Sequence, residues 1–453
     1  MCNLRSRFFA VLIAVFSIYA HANDSANVLF TEVKVFNGID NRLYTQDVLV
    51  EGNMIKEIGG NLDVPSDVRV IDGGGRTLMP GLIDSHLHMS LYTPFSTSRQ
   101  TYDPFMTTVV SVKRAEILLK RGFTTVRDLG GYSKYLTDAI NKGTIIGPRV
   151  FGAGRMISQT SGHGDMRGWN DPHPNIEGNG VTNYWERYHT TIADGADEYL
   201  RAGRISLRNG AHFLKVFTSG GVSSEFDPLY MVQSTAEELQ AAVTAAEQWK
   251  TYVAVHAYTD EAVNHALDNG VKVIEHAPLI TEKVARRLAK DEVITVISTA
   301  VTLAPGQKEA LKANFSAESY AKALVTLEGA ETALKAIIDQ KVKVAFGSDL
   351  VSTLDNTIAY EKAMQLREFE VLDLYNMPPI QAMRGYTSVG GELLAMTGQR
   401  NPWQEGPIGV IKAGAYADIL LVDGNPLESL LVMTDENNFD LVMKDGIVYK
   451  NTL

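Results

Sequence analysis

The sequence predicts an α/β protein, a (β/α)8 TIM barrel carrying a small composite β-sandwich built from the two chain ends. Three observations predict it. Short apolar, β-branched runs alternate with helical stretches from about residue 82 to 395. Segments rich in strands and turn residues flank that region on both sides. The length, 453 residues, suits a barrel of roughly 250 residues or more with a second, smaller domain. Near-continuous apolar strands mark a parallel sheet covered by helices. An open doubly wound sheet is the alternative. It is weakened because no Gly-x-Gly-x-x-Gly follows the first strand.

Taken in order, residues 1–22 read as a secretory signal peptide. Arg5 and Arg7 precede an apolar run, Phe8 to Tyr19, and Ala20-His21-Ala22 forms an A-x-A cleavage pattern. The run is short for a membrane span. The expectation is a periplasmic or secreted mature chain with no stable membrane anchor. Cys2, the one cysteine, leaves with the signal, so no disulfide is expected. Residues 23–81 read as the first part of the sandwich, with strands at Val28–Phe36, Asp47–Val50, Met54–Ile58 and Arg69–Ile71. Turn residues such as Asn37-Gly38 and Asp72-Gly73-Gly74-Gly75 separate them. Residues 82–395 read as the barrel. Its strands include Thr124–Arg127, Phe213–Phe217, Val253–His256, Val271–Glu275, Ile294–Ile297 and Val342–Phe346. Ser234-Thr-Ala-Glu237 reads as a capping box opening a helix through Trp249. Residues 396–453 complete the sandwich with strands at Ile408–Ile411, Asp418–Val422, Leu441–Val442 and Ile447–Tyr449.

Composition excludes several classes. Apolar residues are 45% and charged residues 21%, ordinary globular values that exclude collagen, coiled coil and low-complexity disorder. A formal net charge of -11 argues against a nucleic-acid surface, which needs clustered Lys and Arg.

The chemistry-bearing residues fall at the ends of the barrel strands. His86-Leu87-His88 ends the apolar run Met79-Pro80-Gly81-Leu82-Ile83-Asp84-Ser85. Residues i and i+2 of a strand point the same way, so two imidazoles at that spacing can bind one metal ion. Alone the pair is a weak signal, and surface or packing histidines are the commoner reading. Lys215 sits inside the apolar strand Phe213–Phe217. A buried lysine is costly unless neutralised or paired. It is either an interior salt bridge, a side chain reaching solvent, or a lysine that has taken up carbon dioxide as a carbamate. His256, His276 and Asp349 each end a further strand. The chain has only ten histidines, and four of them fall at these places.

With these residues in hand, Met79–His88 resembles the opening motif of the amidohydrolase superfamily. The segment Gly409–Pro426 is similar to the one that closes the family's small β-domain. The resemblance covers about residues 27 to 450. It implies a (β/α)8 barrel and a metal-dependent hydrolase of carbon–nitrogen bonds. It implies two divalent ions, zinc first among them, with His86 and His88 on the first metal. His256 and His276 would serve the second, and carboxylated Lys215 would bridge the two. Asp349 would bind the first metal and carry protons. Arg127-Asp128, Gly154-Arg155, Ser161-Gly162-His163-Gly164-Asp165 and Lys215–Gly221 resemble the imidazolonepropionase-related branch. That branch includes binuclear Xaa-Pro and Xaa-Arg/Lys dipeptidases, carboxypeptidases, and enzymes cleaving the amide of ochratoxin A. Imidazolonepropionase itself uses one metal and no carboxylated lysine, so Lys215 and the signal peptide count against it. Ser161 departs from the branch, where a glycine is commoner before Gly162.

The resemblance therefore implies attack by a metal-bridging hydroxide on an amide next to a C-terminal residue, with Asp349 as proton shuttle. The tetrahedral oxyanion needs a donor, and Tyr230 and His163 are the candidates. A dipeptide also presents a carboxylate that suits a guanidinium fork, with Arg155 and Arg167 as candidates. The expected partners are a small-molecule or dipeptide substrate, no nucleic acid, and further copies of the chain in a homo-oligomer. A cyclic-amide hydrolase or lactonase, and a non-catalytic binding barrel, are the competing readings.

Overall fold

The structure is a computed structural model and describes residues 27–93, 104–176, 184–353 and 357–453. The signal-peptide reading of residues 1–22 lies outside the described residues. Among the described residues no helix is long and apolar enough to cross a membrane.

Eight parallel strand positions form the ring. The first is Leu82–Thr93, the second Phe123–Asp128, and the third Arg149–Gly152 continued by Met156–Ser158. Then come Leu214–Phe217, Val253–Thr259, Val273–Leu279 and Ile294–Ile297. The eighth is Val344–Phe346 continued by Leu350–Thr353. The hydrogen-bonded strands form two arcs, and the interrupted third and eighth positions each contribute a segment to both. At the eighth, Gly347 N donates to Ile297 O at 3.1 Å and Asp349 N donates to His86 O at 2.7 Å, so the strand reaches a neighbour on either side.

Alternation along the strands decides what faces inward. Leu214, Val216, Val255 and Ile274 pack in the large core beneath the helices. Phe213, Ala254, Val273, Val296 and Ala345 form a separate cluster inside the ring. Lys215 shares the parity of Phe213 and therefore belongs to the interior. Helices fill the crossovers, as βαβ connection requires. The helix Ala236–Gln248 is capped by Thr235, whose Oγ1 accepts from Glu238 N at 3.3 Å while Glu238 accepts from Thr235 N at 2.7 Å. The expected box at Ser234 is thus shifted by one residue. Ser234 instead adopts a left-handed φ of 60°, leaving Thr235 extended at the cap.

Both chain ends meet in one sandwich. Thr77–Pro80 pairs antiparallel with Ile419–Val422 inside a six-stranded sheet. A four-stranded sheet of residues 28–72 packs against it through Phe30, Val48, Ile419 and Leu441. The expected strand Ile408–Ile411 is instead an irregular bend. Gly409 takes a φ of 81°, and a Cβ there would lie 2.4 Å from Thr387 O. Arg149 pins the barrel to the sandwich, with Nε 3.0 Å from Asp418 Oδ2 and a second contact to Asp445.

Candidate metal centre

The strand ends bring the six residues to one cavity, which His86, His88, Lys215, His256, His276 and Asp349 all line. Asp349 is the hub. Its Oδ1 lies 3.4 Å from His86 Nε2 and 3.5 Å from His88 Nε2, and its Oδ2 lies 3.9 Å from His276 Nδ1. Ligand atoms of His86, His276 and Asp349 lie within 4.8 Å of one another, close enough to hold one ion. Two of these residues have backbone conformations that side chains rarely adopt: φ is 76° at His276 and 48° at Asp349. Such strain is held only where the surroundings over-determine it.

The charge states suit cation binding. Burial holds the imidazoles of His86 and His256 well below their ordinary range and brings His276 to about 4. They are therefore neutral, the form that ligates metal. Burial alone would raise Asp349, but the imidazoles of His86 and His276 beside it and a hydrogen bond to His88 hold its carboxyl far below the usual range. Burial lowers the Lys215 ammonium to about 8, against the opposing pull of Glu275 and Asp349. Lys215 is 2% exposed, and its Nζ makes no hydrogen bond. An orphaned amine in a dry interior is costly as a cation. As an anionic carbamate among imidazoles it would be an oxygen donor. This donor set, four imidazoles, a carboxylate and a convertible amine, fits divalent ions.

Residues behind the cavity aim these groups. His86 Nδ1 lies 2.8 Å from Glu275 Oε2, which leaves Nε2 toward Asp349. Glu275 Oε1 accepts from Arg127 Nη1 at 2.8 Å, and Arg127 Nε donates to the Tyr252 hydroxyl at 3.0 Å. The Arg127 guanidinium lies 4.2 Å from the Phe213 ring centroid. Asp84 accepts from Ser348 Oγ at 2.7 Å and Gln365 Nε2 at 3.1 Å, tying the first strand to the eighth. His88 Nδ1 faces Gly130 O at 3.4 Å and His256 Nε2 faces Gly220 O at 3.3 Å. None of Arg127, Glu275 or Asp84 stood out as a site residue in the sequence. The available signal was charge at 127 and 275 inside otherwise apolar strands.

His163 reaches the cavity from the loop after the third strand. Its ring stacks on His256 at 4.3 Å between centroids, and Tyr258 stacks on His256 at 4.4 Å. Two near-parallel rings cannot occupy one face, so His256 is held between them. Tyr230 is turned outward and is 83% exposed. The loop that carries it folds Ser224 and Asp227 inward instead, and the tyrosine that lines the cavity is Tyr258. Burial, with the charges of Asp349 and Asp227, raises the Tyr258 phenol far above its ordinary range, so it stays protonated.

Neither arginine candidate lines this cavity. Arg167 forks onto Asp165 at 2.8 and 2.6 Å and approaches Glu186 at 3.5 Å, so its charge is taken up by the nearest carboxylates. Arg155 faces a separate cleft with Tyr132, Lys134 and His212, and its Nη1 donates to Glu186 O at 3.4 Å. Ser161 has a φ of 58°, a conformation that favours glycine, and its Oγ donates to Phe226 O at 2.9 Å.

A ring of parallel strands with histidine, lysine and aspartate at one rim defines a class. Residues 77–448 match the amidohydrolase family, and the chain belongs to it. It is a hydrolase of amide bonds. It is 29% identical over 423 residues to ochratoxinase of Aspergillus niger, covering 89% of this chain and 82% of that protein. The crystal structure of another amidohydrolase superposes with a TM-score of 0.84 at 33% identity, covering 94% of this chain and 100% of the other. That of a prolidase complexed with N-methylphosphonate-L-proline gives 0.82 at 31%, over 94% and 100% of the two chains.

Proposed function

We propose that this chain is an exported binuclear amidohydrolase that cleaves the amide next to a C-terminal residue, in dipeptides or N-acyl amino acids. The observation that carries the reading is Lys215, an unpartnered buried amine facing the same cavity as the His86–His276–Asp349 group. Likeness to a prolidase and to an ochratoxinase supports the substrate class.

His86, His88, His256, His276 and Asp349, with Lys215 as a carbamate, would hold two divalent ions, zinc first because imidazole suits it. For Lys215 to serve, neutral Nζ adds to the carbon of carbon dioxide and releases one proton, leaving a carbamate anion. When bound, the ions supply carbonyl polarisation and activation of water. The remaining chemistry belongs to the protein. Asp349 accepts the proton of the attacking water and passes it to the leaving amine, which is a poor leaving group unprotonated. The Tyr258 hydroxyl lines the cavity and would donate to the developing oxyanion, while His163, with its ring proton on Nδ1 toward Asp227, would accept from a substrate N–H through Nε2 rather than donate. Leu91, Trp185, Phe217, Leu311, Phe315 and Leu327 line the rest of the cavity and favour a bulky apolar group on the substrate.

The test is turnover of the metal-loaded mature protein on Xaa-Pro, Xaa-Arg, Xaa-Lys and Xaa-Phe dipeptides and N-acyl amino acids. Hydantoins and lactones run beside them. Amide cleavage, strongest on apolar substrates, is expected. Ring opening without amide cleavage would overturn the reading. Export is tested by N-terminal sequencing of the native protein, which should begin at Asn23.

A further inference from the structure

We propose that Lys322 is a positioning residue for this site, acting through Asp227 to fix the orientation and tautomer of His163. The proposal deepens the amide-hydrolase reading and rests on it for its kinetic consequence.

Asp227 is a wholly buried carboxylate. A buried charge needs both a counter-charge and donors. Gly221 N donates to its Oδ2 at 2.8 Å, and His163 Nδ1 lies 2.9 Å from the same atom. The counter-charge comes from a distant element. Lys322, on the helix Ala317–Asp339, places Nζ 3.4 Å from Asp227 Oδ1. The same ammonium donates to the carbonyls of Ser224 at 2.5 Å and Asp227 at 3.1 Å. All three of its donors are thus spent on one short loop.

The consequence for His163 follows from donor and acceptor roles. An ionised carboxylate only accepts, so the ring proton sits on Nδ1. Ser224 Oγ, 2.5 Å from Nδ1, shares that contact. Nε2 is left on the far side of a ring that lines the cavity and stacks on His256. Without Lys322 the loop loses its three anchors, and Asp227 loses the ammonium beside it. The ring is then free to tilt, and its proton to change nitrogens. Thr326 and Leu327, one turn further along the same helix, line the cavity. Substrate seated there therefore rests on the helix that holds the relay.

The test uses the full metal-loaded chain with Lys322→Met, Lys322→Arg and Asp227→Asn. It reads metal content, kcat, KM and the side-chain 15N–1H histidine spectrum, with His163→Gln assigning the His163 signals. For Lys322→Met we expect unchanged metal content, KM within about twofold, and kcat lower by about 10- to 100-fold, the scale of a small misplacement. The His163 nitrogen pattern should change, and Lys322→Arg should recover part of kcat. Wild-type kcat in Lys322→Met, or a lowered kcat with an unchanged His163 pattern, would overturn the proposal. If Lys322→Met does not fold, Asp227→Asn carries the same two criteria. If the wild type cleaves no amide, the function reading fails. The positioning proposal is then decided by the His163 spectrum alone.

Discussion

Glu275 Oε2 stands 2.8 Å from Nδ1 of His86, and both side chains are almost wholly buried. A carboxylate behind an imidazole fixes which nitrogen carries the proton and raises the basicity of the other. The same carboxylate is the counter-charge of Arg127. The ion pair in the barrel interior and the aim of the first metal-site histidine are therefore one structure.

Replacing Glu275 by Gln should weaken both. The amide puts an NH2 where one accepting oxygen stood, so a donor would face either the Arg127 guanidinium or the His86 N–H. Metal affinity should fall by ~10- to 100-fold. Breaking one partner of a buried pair should cost about 3–5 kcal/mol of stability. Metal titration and urea unfolding check the two losses separately, and excess metal should restore part of the activity.

Lys215→Ala and Asp349→Asn should both abolish turnover, by ~10²-fold or more for the proton shuttle alone. Lys215→Ala should leave the apo protein folded, because the buried amine that it deletes has no hydrogen bond to lose. Kinetics and thermal melting of the metal-free variant check this.

Gly221 marks the closest approach to His163. A Cβ built there would lie 2.3 Å from His163 Cε1. Gly221→Ala should therefore displace His163 while leaving the metal ligands in place. We expect kcat to drop by about 10-fold or more through misplacement, with wild-type metal content. Equal kcat would remove His163 from the account.

His212 supplies a pH dependence away from the metal site. Gly152 N donates to its Nδ1 at 3.0 Å, and burial lowers the imidazole from its ordinary value to about 4. The group is neutral in the fold and takes up a proton more readily when unfolded. Its contribution is thus full above about pH 6.5 and is lost as pH falls through about 4. His212→Asn keeps an acceptor for Gly152 N. It should flatten the fall in urea midpoint between pH 7 and 4.

Much of this was legible in the sequence because the signals were local. Strand alternation separates Leu214 and Val216 from Phe213 and Lys215, the metal-site histidines and Asp349 close apolar runs, and Lys215 interrupts one. What was not legible depends on distance. Glu275 and Arg127 explain each other only when two strands are brought together, and Asp227 meets His163 across 64 positions and Lys322 across 95. Loop direction was equally hidden. Nothing near Tyr230 says that Ser224 and Asp227 turn inward while it turns out. Arg167 was read as a substrate clamp although Asp165, two residues away, neutralises it. The cap at Thr235 and the bend at Gly409 were misread because a single left-handed residue redirects the chain.

The most direct test is the number of divalent ions bound per chain, measured by elemental analysis of wild type and Lys215→Ala after loading with zinc and bicarbonate. The account predicts about two ions in the wild type and a clear loss in the variant. Equal stoichiometry in the two proteins, or no tightly bound ion in either, would contradict it.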